Sequence, residues 1–124
     1  MDRLVALLRP ELADVERLLA ERAARPVATI PDLSSYLIAA GGKRLRPLVV
    51  LLCGRACGAE GPRLVELAAV IELLHTATLL HDDVVDESTL RRGNATANET
   101  FGNPASVLVG DFLYSRAFQM MVDV

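Results

Sequence analysis

The sequence predicts an all-α domain, and three observations carry that expectation. Of 124 residues, 52% are hydrophobic but only 4% are aromatic, with no Trp, so Leu, Ala and Val must fill the core. Leu and Ala are strong helix formers, and apolar residues recur at three- and four-residue spacing through the longer segments. No segment alternates with the period of a strand, and no internal repeat or low-complexity tract is present. The length suits one domain, large enough to bury a real core.

Residues 2 to 24 read as helical, with Leu12, Val15 and Leu19 on one face and charged residues between them. Pro10 starts the second piece, where its missing N–H costs little. Pro26 and Pro31 bracket a connector, and Asp32 to Ala40 forms a short helix ended by Gly41-Gly42. Pro47 opens the next helix, and Leu48 to Ala56 is apolar almost all round, which predicts an interior position. Gly58, Gly61 and Pro62 break it. A long helix follows from Arg63 to about Glu87, with Leu64, Leu67, Ala68, Ile71, Leu74 and Thr78 at helical spacing. Ser88 to Asn94 is a polar connector. Asn103-Pro104 supplies a cap and first position for a last helix, and that helix has no stop signal before Val124.

Composition narrows the function. A net charge of −3 and a pI near 5.3 argue against a general nucleic-acid surface. No apolar run reaches the roughly 18 uncharged residues of a membrane span, since the longest candidate carries Glu72 and His75. Asp2, Arg3 and Arg9 surround a very short apolar patch, unlike a secretory signal. The expectation is a cytoplasmic protein with no transmembrane segment. Cys53 and Cys57, four apart in an apolar segment, read as small buried hydrophobes in a reducing compartment.

The chemistry concentrates in three places. Four acids, Asp82, Asp83, Asp86 and Glu87, stand within six positions behind the apolar run, with no Lys or Arg among them. His75, Thr78, Asp82 and Asp86 form one stripe, while Asp83 and Glu87 are rotated about 100° from it. Asp82 and Asp86 are therefore the better ligand pair for a hard cation such as Mg²⁺. Two carboxylates cannot fill its shell, which usually takes waters and phosphate oxygens as well. The plain alternatives are a solvated helix end and, for His75, an ordinary core histidine.

The second place is Gly41-Gly42-Lys43-Arg44-Leu45-Arg46-Pro47. It brings three positive charges to a flexible backbone at a helix start, which suits an anion or makes a solvated basic turn. Of thirteen basic residues only Lys43 is a lysine. A nucleotide P-loop does not fit the spacing. The third place is Arg91-Arg92-Gly93, which either neutralises the acids or offers both arginines to phosphates around a metal.

Taken in order, Gly41 to Pro47, His75, Asp82-Asp83-Val84-Val85-Asp86, Arg91-Arg92-Gly93 and Val109-Gly110-Asp111 resemble the N-terminal motifs of trans-isoprenyl diphosphate synthases. The pattern is most similar to bacterial long-chain synthases of the octaprenyl type, from about residue 33 onward. The resemblance implies the N-terminal helices of an isoprenoid synthase bundle around a deep cavity, in a homodimer. It implies head-to-tail condensation of an allylic diphosphate with isopentenyl diphosphate. Lys43, Arg46, His75 and Arg92 would bind isopentenyl diphosphate. Asp82 and Asp86 would hold Mg²⁺ on the allylic diphosphate, and Arg91 would contact that diphosphate.

In such enzymes bulky side chains just upstream of the aspartates give short products. With the small Ala77 and Thr78 there, the resemblance implies a long one, and Ala77→Phe is expected to shorten it. After Glu87 the only acids are Glu99, Asp111 and Asp123, so the second aspartate-rich motif of such enzymes is absent from these residues. The 124 residues therefore read as the N-terminal portion of one synthase domain, inactive alone. Two other readings are a non-catalytic subunit of a heteromeric synthase, whose chain would not continue into a second Asp-x-x-x-Asp helix, and a purely structural helical fragment.

Overall fold

The computed structural model describes residues 2–23, 42–91 and 93–124. Among these residues the elements are α1 (Asp2–Leu7), α2 (Arg9–Ala23), α3 (Leu45–Ala56), α4 (Pro62–Val85), β1 (Leu90–Arg91), β2 (Asn94–Ala95), α5 (Ala97–Phe101) and α6 (Asn103–Asp123). The all-α expectation holds. The two-residue strands form an antiparallel ribbon, Leu90 opposite Ala95 and Arg91 opposite Asn94, inside the segment expected to be a plain connector. The helix expected at Asp32–Ala40 lies outside the described residues, as do Gly41 and Arg92.

α4 is the hub, packed most extensively on α6 and then on α3 and α2. Its 24 residues include Val65, Ala68, Ala69, Leu73, Ala77 and Leu80 on the buried side. Leu8, Val15 and Leu19 meet them from α2 and its entry, Leu48 and Leu51 from α3, and Val109, Leu113 and Ala117 from α6. By length and hydropathy α4 would also pass as a membrane span, the one such helix among the described residues. Its apolar residues packed in the core account for that hydropathy.

Helix boundaries follow local chemistry. α1 passes into α2 through Leu8, whose N–H bonds Leu4 O and whose carbonyl accepts from Leu12 N, and Pro10 falls in the first turn of α2 as expected. α3 starts two residues before Pro47, so that proline occupies the first turn, where no partner for its nitrogen is needed. α6 begins at Asn103 with Gly102 as its cap, one residue earlier than the expected Asn103 cap.

α3 and α4 end in the same way. Gly58 (φ 83) closes α3 with bonds from Gly58 N to Arg55 O and Ala59 N to Gly54 O. Glu87 (φ 54) closes α4 with bonds from Glu87 N to Val84 O and Ser88 N to Asp83 O. Both are Schellman motifs, but the second puts a glutamate where glycine is usual.

Two expectations are corrected. α3 is not an interior helix: only Pro47, Leu48 and Leu51 are buried, while Leu45 and Val49 are about half exposed. Cys53 and Cys57 are exposed, not buried, because they lie on the face of α3 turned from α4. Uniform apolarity had hidden which side of α3 meets the core.

Candidate functional site

The last turns of α4 separate the four acids. Asp82 is exposed and Asp83 is 5% exposed, turned into the core. Asp86 is the C-cap yet keeps helical dihedrals (φ −83, ψ −2), and its N–H bonds Asp82 O at 2.8 Å. Asp86 thus stays one turn beyond Asp82, and both carboxylates are exposed, as helical phase requires. Two hard oxygen donors at that spacing fit Mg²⁺ as a partial shell. Among the described residues no group of three or more His, Cys, Asp or Glu comes together.

The stripe leading to these acids is the less buried side of α4. Leu67 and Thr78 are exposed, and Ile71, Leu74 and His75 are partly so. Thr78 therefore shares the aspartate face, whereas Ala77 is fully buried in the core.

At the start of α3 the basic residues divide. Lys43 and Arg46 are exposed, but Arg44 is buried and takes left-handed backbone (φ 55, ψ 39) as the helix cap. Its Nη1 donates to Glu72 Oε1 at 2.9 Å, its Nη2 to Glu16 Oε2 at 3.3 Å, and its Nε to Glu16 Oε1. Burial works against the charge, but the hydrogen bonds and charges of Glu16 and Glu72 outweigh it and raise the Arg44 pKa. Arg46 meets His75, with Nη1 and Nε2 3.1 Å apart. A guanidinium only donates, so Nε2 accepts and the ring proton sits on Nδ1. Two residues separated by 29 positions, picked from the sequence for one ligand, are thereby brought into contact.

Arg91 lies in β1, five residues after Asp86, and Gly93 (φ 80) takes the turn. The ribbon is tied down by Thr96 N bonding Thr89 O and Thr96 Oγ1 bonding Ser88 O. It begins two residues after the Schellman turn.

Sequence reasoning missed His81. Its Nε2 is 3.3 Å from both Val107 O and Asp111 Oδ1, joining α4 to α6 beside Asp82. A Cβ on Gly110 would fall 2.3 Å from that nitrogen. Gly110 thus lets α6 approach α4 closely at His81. Glu16 and Glu72 were missed as well. The signal for Glu72 was present: one acid inside an apolar helix needs a buried partner.

The polyprenyl synthetase family model matches residues 27–124. The octaprenyl diphosphate synthase of Escherichia coli is 52% identical over 124 residues, all of this chain and 38% of that protein. A crystal structure of a decaprenyl diphosphate synthase from Rhodobacter capsulatus superposes with a TM-score of 0.93 at 53% identity, covering 98% of this chain and 38% of that one. A polyprenyl synthase from Caulobacter crescentus, crystallised with calcium and isoprenyl diphosphate, gives 0.93 at 54% identity, covering 98% and 37%. The chain thus spans little more than a third of the length of these relatives. On the match over most of its residues and on a shared helical architecture, the chain belongs to the polyprenyl synthetase family.

Proposed function

We propose that the chain contributes one wall of the active site of a long-chain polyprenyl diphosphate synthase. That enzyme condenses an allylic diphosphate with isopentenyl diphosphate. The observation carrying this reading is that α4 holds His75 against Arg46 at 3.1 Å and, beyond it, the exposed pair Asp82 and Asp86. His75 and Asp82 are separated by about 10 Å along the helix axis, room for two diphosphates side by side. Relatives named for octaprenyl and decaprenyl products support the long product.

In this reading Lys43, Arg46, His75 and Arg92 hold isopentenyl diphosphate. Asp82 and Asp86 hold Mg²⁺, and Arg91 contacts the allylic diphosphate. When bound, Mg²⁺ neutralises charge building on the departing pyrophosphate. The calcium and isoprenyl diphosphate of the Caulobacter relative are in keeping with such a site. The apolar face of α4 below Asp82, with Ile71 and Leu74, shields the resulting allylic cation from water. Its carbon is then attacked by the isopentenyl double bond, and loss of a proton restores the alkene. A cytoplasmic homodimer belongs to the same proposal.

The test is turnover of labelled isopentenyl diphosphate with an allylic diphosphate by the full-length enzyme carrying these residues. Extractable long-chain product, lost on chelation and restored by Mg²⁺, is expected. Absence of any allylic-dependent product under those conditions would refute the reading.

A further inference from the structure

Arg44 stands between two exposed basic residues but faces inward. Its side chain is 9% exposed, and Glu72, which it meets, is 7% exposed. A left-handed backbone is unfavourable for a non-glycine residue, and α3 receives no side-chain cap in exchange. A buried ion pair adds little stability compared with apolar side chains of similar size. The effect of this pair is better sought in geometry.

The geometry is specific. Glu72 lies one turn before His75 on α4, and Arg44 lies two residues before Arg46 at the start of α3. Arg44 O accepts the first helical bond, from Leu48 N at 3.1 Å. The fork of Arg44 spans Glu72 on α4 and Glu16 on α2, so three helices are fixed at one point. The Arg46–His75 contact lies immediately outside that point.

We propose that Arg44 and Glu72 form a positioning clamp that sets the placement of Lys43, Arg46 and His75 toward isopentenyl diphosphate. The inference rests on the functional reading above and deepens it. Neither clamp residue touches substrate. Both act through the three residues beside them.

The test uses two variants of the full-length enzyme. Arg44→Met/Glu72→Met replaces the pair with apolar side chains and leaves Glu16, about half exposed, to solvent. Arg44→Lys keeps the charge but loses the fork. In the double variant we expect the KM for isopentenyl diphosphate to rise about tenfold, and the KM for the allylic diphosphate to stay within about twofold. Arg44→Lys should move the same constant by about threefold or more. A folded double variant with both constants within about twofold of the unsubstituted enzyme would overturn the clamp, as would both rising in step. If the double variant does not fold, Arg44→Lys decides by the same criterion. If the unsubstituted enzyme itself turns over no isopentenyl diphosphate, the functional reading fails first and the clamp with it.

Discussion

Asp83 is 5% exposed while Asp82 beside it is open to solvent, so adjacent carboxylates answer to different selection by the fold. Replacing Asp82 or Asp86 with Ala removes an exposed carboxylate proposed to hold Mg²⁺. Turnover by the full-length enzyme should fall at least about 100-fold, while the metal-free melting temperature does not fall. Asp83→Ala empties a buried polar position and should cost about 1–3 kcal/mol of stability in denaturant titration. Arg44 carries a pH signature. Its raised pKa means that its contribution is fully present below the ordinary arginine value and is lost only as pH rises through the higher folded value. The stability difference between the enzyme and Arg44→Met should therefore be flat from about pH 7 to about pH 10, measured by urea unfolding at each pH.

The helices show how phase governs consequence. Ala77 is fully buried, so Ala77→Phe overpacks the core and should cost about 1–3 kcal/mol. Thr78 shares the exposed face with Asp82, so Thr78→Phe is expected to shorten the prenyl product, as Ala77→Phe is, but without that loss. Product analysis beside a thermal melt separates the two. The end of α4 offers a third test: Glu87→Gly removes a side chain from left-handed backbone (φ 54) and should raise stability by roughly 1 kcal/mol. Helix positions were legible in the sequence because Pro10, Gly58, Gly61 and Pro62 punctuate them. The ribbon at Leu90–Ala95 was not, since two-residue strands are too short to show alternation. Nor was Glu87's conformation, because only glycine announces it. Asp82 and Asp86 were readable from helical period alone. The inward turn of Arg44 was not, because it depends on Glu16 and Glu72, each 28 residues away in sequence.

At the scale of the whole molecule, α4 and α6 are among the elements that leave apolar side chains open. Leu108, Phe118 and Val122 of α6 are 63%, 49% and 84% exposed, and Leu67 and Ile71 line the uncovered side of α4. A protein of these 124 residues alone should bind a hydrophobic dye strongly and yield no prenyl product with both diphosphates and Mg²⁺. Clear product would show that one aspartate-rich helix suffices. The end of α4 also bears on the proposed metal site. No basic residue lies in its last turn, while Asp82, Asp83, Asp86 and Glu87 crowd the end where the peptide dipoles leave about half a negative charge. The carboxylates and the helix axis therefore repel one another, and α4 is the hub on which α2, α3 and α6 pack. Divalent metal at that tip would relieve electrostatic stress in the central pillar, making the fold a calorimetric reporter of its own loading, with the melting temperature of the full-length enzyme climbing as Mg²⁺ is titrated in.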